Sequence, residues 1–210
     1  MNRQFEPSEL VIATDGTPYH IRIRPEALAD NVILVGDPAR VDLIAGKLDK
    51  VGDKTSNREI VSCKGEYKGK PITVLSTGMG VGCIDIVVNE LDICANVDLE
   101  KREPKPVHRS LNLIRIGTCG SLQDDLEVGT HVASAYAIGI DGLAYYYKGL
   151  EKINDEKLIE QFLKQTSWDK KLPYPYAVKA DNELLNRIAS DTHKGITITA
   201  PGFYAPQGRQ

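Results

Sequence analysis

This chain lacks most features that would point to a specialised class. No apolar run approaches the roughly 20 residues a membrane-spanning helix needs, so no membrane partner is expected. Met1 to Leu10 is polar and has no apolar stretch of the kind a secretory signal carries, which leaves a cytoplasmic protein as the expectation. Cysteine is sparse. Cys63, Cys83, Cys94 and Cys119 form no C-x-x-C pair and have no histidine cluster at zinc-ligand spacing, so reduced thiols and no metal site are expected. Basic charge is not in excess: 26 Lys and Arg against 29 Asp and Glu leave a net charge of −3. With a pI near 5.8, no nucleic-acid partner is expected. Internal repeats and low-complexity stretches are absent. So are the G-x-G-x-x-G and G-x-x-x-x-G-K-[ST] fingerprints of nucleotide-binding loops.

What remains is an ordinary globular composition, 41% hydrophobic and 26% charged, too apolar for a disordered chain. At 210 residues it can bury one sizeable core, and a single domain over residues 1–210 is the expectation. The chain repeats a strand, a glycine turn and a helix. Asn31 to Val35 reads as a buried strand, broken by Gly36-Asp37-Pro38. Val41, Ile44, Ala45 and Leu48 then follow at helical spacing. Pro71 to Ser76 is a second strand, ending in Thr77-Gly78-Met79-Gly80 before a helix that carries Ile84, Val87, Val88 and Leu91. Leu111 to Ile116 is a third, ending in Gly117-Thr118-Cys119-Gly120. Asn96 to Ser110, polar and with two prolines, reads as an exposed loop insertion whose Lys101, Arg102, Lys105, His108 and Arg109 form a solvated face. Further on, Val132 to Ile140 reads as a strand and Leu143 to Lys148 as its return strand. Asp155 to Trp168 and Asn182 to Ala189 read as helices, the latter capped by Asp181, and Gly195 to Ala200 as a strand. This alternation predicts an α/β fold: a three-layer αβα domain with a mixed, largely parallel central sheet.

In open α/β sheets ligands bind at the carboxyl ends of the strands. Three such ends here are glycine turns, which let backbone N–H groups approach an anion. Arg40 follows the first turn closely. Arg115 lies in an apolar strand between Ile114 and Ile116, where an unpaired charge is costly. A buried carboxylate could pair it. A bound anion would also pair it, and guanidinium groups match phosphate by bidentate geometry.

Five pieces of sequence occur in an order that resembles the nucleoside phosphorylases of the uridine/purine phosphorylase superfamily, most closely the uridine phosphorylase branch. They are V-G-D-P-A-R (35–40), S-N-R-E (56–59), S-T-G-M-G (76–80), R-I-G-T-C-G (115–120) and F-Y-A-P-Q-G-R (203–209). The resemblance implies phosphorolysis of a pyrimidine nucleoside such as uridine, giving uracil and ribose 1-phosphate in nucleoside salvage. It implies no cofactor and no metal, with inorganic phosphate as co-substrate. The implied assembly is a homodimer or hexamer with sites shared between subunits. Gly36, Arg40, Arg115 and Thr118 match phosphate-site positions. Arg58 matches an arginine that reaches a neighbouring subunit's phosphate, and His20 one that crosses to the ribose 5′-hydroxyl. Thr77 and Gly78 match the loop near ribose and base. Phe203 matches the aromatic lining of the base pocket, and Gln207 and Arg209 the uracil-recognition pair. In this reading Arg115 and Arg209 are the catalytic residues.

Two departures accompany the resemblance. Cys119 stands where uridine phosphorylases commonly carry another residue and is expected to pack. The 96–110 insertion is expected to stay clear of the site. The family also continues into a Met-Glu motif that holds the ribose hydroxyls, and no such motif occurs here, so a chain truncated at its C-terminus is expected. Three other readings therefore stay open: a purine nucleoside phosphorylase, a nucleotide nucleosidase, and an inactive fragment that binds phosphate or nucleoside.

Overall fold

The computed structural model describes residues 3–209. The chain forms two compact units, Met1–Cys119 and Gly120–Gln210.

In the first unit, β1 (Asn31–Val35), α1 (Ala39–Ala45), β2 (Lys50–Asn57), β3 (Ile60–Tyr67), β4 (Lys70–Ser76), α2 (Val81–Asn96), β5 (Val97–Asp98), β6 (Glu103–Pro104) and β7 (Asn112–Ile116) follow in order. The main sheet has the strand order β2-β3-β4-β1-β7. β4, β1 and β7 are parallel neighbours, and β2, β3 and β4 pair antiparallel, so the sheet is mixed. Alternation along β1 builds two cores. Val32 and Leu34 face Val87, Leu91 and Cys94 of α2. Val35 meets Val41 and Ala45 of α1 together with Cys63 and Val74. A helix thus covers each face of the sheet, giving three layers. Full burial of each of these valines contributes roughly 1.5–3 kcal/mol of transfer free energy.

In the second unit, β8 (Val132–Gly139), α3 (Glu156–Thr166), β9 (Tyr176–Lys179), α4 (Asn182–Ile188) and β10 (His193–Thr199) follow. β8 is central, parallel to β10 and antiparallel to β9. α3 lays Ile159, Phe162 and Leu163 against Ile138 and Ala177. Asp155 caps α3 by accepting the Leu158 N–H at 3.1 Å, and Asp181 caps α4 by accepting the Leu184 N–H at 2.8 Å. The α/β class with a mixed sheet therefore matches the sequence reading.

Three local readings need correction. Leu143–Lys148 is not a return strand. Gly142 is left-handed (φ 79°) and the Asp141 carboxylate accepts the Leu143 N–H, so Leu143–Tyr146 curls into a 3-10 turn and β9 supplies the antiparallel partner. Asn96–Ser110 is not simply a loop, because β5 and β6 form a two-residue ribbon. Nor are its cations merely a solvated face. Lys105 Nζ donates to the carbonyls of Cys94 (3.4 Å) and Ala95 (2.9 Å), Arg102 to that of Leu10, and Arg109 to the Asp30 carboxylate and the Leu28 carbonyl.

Candidate active site

The register brings three glycine turns to one edge of the first unit. Val35 of β1 pairs with Ser76 of β4 and Ile116 of β7, so Gly36, Thr77 and Gly117 begin at the same level, at the carboxyl ends of adjacent parallel strands. Backbone bonds tie two of the turns: Thr77 N–H donates to the Val35 carbonyl (2.8 Å) and Gly78 N–H to that of Gly36 (3.0 Å). Thr77 is fully buried and its hydroxyl donates to the Gly78 carbonyl at 2.9 Å, so it braces the turn from within.

The Arg115 guanidinium lies across these turns. A methyl group on Gly117 would stand 2.5 Å from Nη1 of Arg115, and one on Gly36 would stand 3.8 Å from Nη2. Glycine at 117 is what leaves that space. The burial argument for Arg115 is corrected, because β7 is an edge strand and Arg115 is exposed. Desolvation therefore does not demand a partner. Among the described residues, Arg115, Arg40 and Arg58 nevertheless form no ion pair, whereas Arg3, Arg22, Arg109 and Arg187 each do. Thr118 and Cys119 are exposed, so the expectation that Cys119 packs is also corrected.

Arg58 occupies the turn between β2 and β3 with φ 55°. The next residue, Glu59, covers Gly78: a methyl group there would stand 2.8 Å from Glu59 Cγ, and Gly78 itself has φ 74°. The S-N-R-E and S-T-G-M-G pieces are thus in contact. Cys83 also lies beside Glu59, and burial, followed by that carboxylate, holds its thiol above the ordinary range. His20 is held by Glu90 of α2, which accepts the N–H groups of His20 and Ile21 and meets His20 Nδ1 at 2.5 Å. Neither Glu59 nor Glu90 stood out in the sequence. The available signal for Glu90 was a carboxylate set among Val87, Leu91 and Cys94 on the inward stripe of a helix.

In the second unit, Phe203, Gln207 and Arg209 come together around a 3-10 turn, Ala205–Gln207. The Arg209 guanidinium stacks over the Phe203 ring at 4.1 Å, donates to the Phe203 carbonyl at 2.8 Å, and also donates to the Gln207 side-chain oxygen. The Gln207 amide N–H₂ is left to donate elsewhere.

Among the described residues, no group of three or more His, Cys, Asp or Glu side chains is placed to hold a metal ion, and no helix is long and apolar enough to cross a membrane.

The chain is similar to several known nucleoside phosphorylases. The chain is 28% identical over 214 residues to the uridine phosphorylase of Thermococcus kodakarensis, covering 100% of this chain and 64% of that protein. It is 38% identical over 110 residues to a DeoD-type purine nucleoside phosphorylase of Bacillus thuringiensis, covering 52% of this chain and 41% of that protein. The crystal structure of a Trypanosoma brucei nucleoside phosphorylase, described as showing uridine phosphorylase activity, superposes with a TM-score of 0.79 at 29% identity. That match covers 96% of this chain and 72% of that one. The model of the Phosphorylase superfamily matches residues 30–210, and the chain belongs to that superfamily.

Proposed function

We propose that the protein cleaves the N-glycosidic bond of a pyrimidine nucleoside by phosphorolysis, with uridine as its substrate. A phosphate oxygen forms a bond to C1′ while the C1′–N1 bond breaks and its electron pair passes to the base. The transition state carries positive charge on the ribose and negative charge on the departing uracil. Phosphate held by Gly36, Arg40, Arg115 and Thr118, with Arg58 from a neighbouring subunit, would be concentrated and oriented for attack. Thr77 and Gly78 would form the floor beneath the ribose.

The observation that carries the pyrimidine reading is the Phe203–Gln207–Arg209 cluster. An aromatic ring, an amide whose N–H₂ is left to donate, and a cation stand together at residues 203–209, and they complement a ring that presents carbonyl oxygens. Arg209 near a uracil carbonyl would stabilise the charge that develops there as the base leaves. The similarity over 110 residues to a purine enzyme supports a second reading, in which the same phosphate edge serves a purine nucleoside.

The test is incubation with uridine and phosphate, following uracil and ribose 1-phosphate. Phosphate-dependent release of uracil is expected. Cleavage of inosine or adenosine with uridine untouched would select the purine reading. Base release without phosphate would select a nucleosidase, and binding without turnover a binding fragment.

A further inference from the structure

Glu90 has an environment that a carboxylate rarely tolerates. It projects from α2 between Val87, Leu91 and Cys94 and is only 8% exposed. A buried carboxylate is costly unless hydrogen bonds replace its water. Here every hydrogen bond it receives comes from one short segment. Oε2 accepts the His20 and Ile21 N–H groups, each at 2.8 Å, and Oε1 meets His20 Nδ1 at 2.5 Å. Among the described residues no lysine or arginine pairs with it. The same segment is gripped from the other side by Asn57 at the end of β2, whose amide donates to the carbonyls of Tyr19 (3.2 Å) and His20 (2.9 Å). The Tyr19 ring stands edge-on to the imidazole at 5.0 Å.

We infer that Glu90 is a positioning residue that fixes both the place and the tautomer of His20. An ionised carboxylate only accepts hydrogen bonds, so the ring proton sits on Nδ1. Nε2 has no partner among the described residues, and in the neutral ring it is then an acceptor. It can take a hydrogen bond from a hydroxyl, and it cannot donate one to a group that only accepts. The inference rests on the proposed function in one respect: the hydroxyl would be the 5′-OH of a nucleoside. Asn57 extends the device, because it anchors the His20 backbone and immediately precedes Arg58. One clamp therefore sets both residues expected to serve a neighbouring subunit.

Glu90→Gln tests this with little change of shape. The two backbone N–H groups share Oε2, so the glutamine oxygen should take that place and its N–H₂ should face Nδ1. Nδ1 must then accept, and the ring proton moves to Nε2. Long-range ¹⁵N–¹H spectra of the neutral ring, assigned against His20→Ala, should show the Nδ1–H form in the wild type and the Nε2–H form in Glu90→Gln. The kinetic readout is the preference for uridine over 5′-deoxy-5′-fluorouridine, whose fluorine cannot donate. That preference should fall by about fivefold in Glu90→Gln: a hydroxyl also accepts, so Nε2–H can still bond the 5′ oxygen of uridine, while the fluorine no longer faces a lone pair.

An unchanged tautomer, or an equal loss on both substrates, would overturn the inference and leave Glu90 a purely structural group. Should the wild type cleave no nucleoside, the functional reading falls, and the ring spectra alone still decide whether Glu90 sets the tautomer.

Discussion

Arg115 carries its charge at the end of β7, over Gly36 and Gly117, with no carboxylate to neutralise it among the described residues. A cation left unpaired beside glycine turns suits an anionic ligand. Arg115→Ala should raise the KM for phosphate at least tenfold, the cost of roughly one charge-assisted hydrogen bond, and should change the KM for the nucleoside less. Unchanged phosphate saturation would remove Arg115 from that site. A second residue makes a prediction about pH. Cys94 is fully buried on α2, and burial pushes its thiol from the ordinary 9.0 up to about 12, with Lys105 and Arg109 opposing. The folded state disfavours the thiolate, so the unfolded chain releases this proton first. The stabilisation is therefore complete below pH 9 and is lost as pH rises towards 12, at up to about 1.4 kcal/mol per unit. Denaturant unfolding between pH 8 and 11 should show a steeper decline for the wild type than for Cys94→Ala, and equal slopes would refute this. Glycines and arginines were legible as site candidates because their chemistry is local to the residue. Glu90 and Asn57 were not, because their partners lie 70 and 37 residues away and only the fold joins them.

At the scale of elements, legibility followed apolar content and turn signals. β1, β4 and β7 end in glycine turns and carry Val, Ile and Leu, so their pattern is strong. The hairpin strand β2 exposes nearly every side chain, and pairing with β3 rather than any apolar alternation sets its register. Nothing in its composition marks it. Leu143–Lys148 erred the other way. Its three tyrosines look strand-like, yet an aspartate and a left-handed glycine start a tight turn before pairing can begin. The 96–110 insertion gives the element-scale prediction. Lys105 donates to two carbonyls in the last turn of α2, where a cation also meets the negative end of the helix dipole. Lys105→Met keeps the aliphatic stem and removes both interactions. It should cost about 0.5–1.5 kcal/mol in denaturant unfolding. No loss at all would return the segment to a merely solvated role.

For the whole molecule, the decisive question is which chain each residue serves. Arg58 is exposed, held at φ 55° in its turn, and unpaired among the described residues. If it completes a neighbour's phosphate site while Arg115 serves its own chain, then Arg58→Ala and Arg115→Ala damage opposite halves of a shared site. Assayed at phosphate far below the raised KM, each variant alone should release little uracil. In a dimer that contains one of each, both defects fall in the same site and the other site is intact. Random exchange makes half of the dimers mixed, and each mixed dimer has one working site of two. Mixing equal amounts should therefore restore about a quarter of wild-type uracil release. If both arginines served their own chain, every site would keep one defect and the mixture would stay as inactive as its parts.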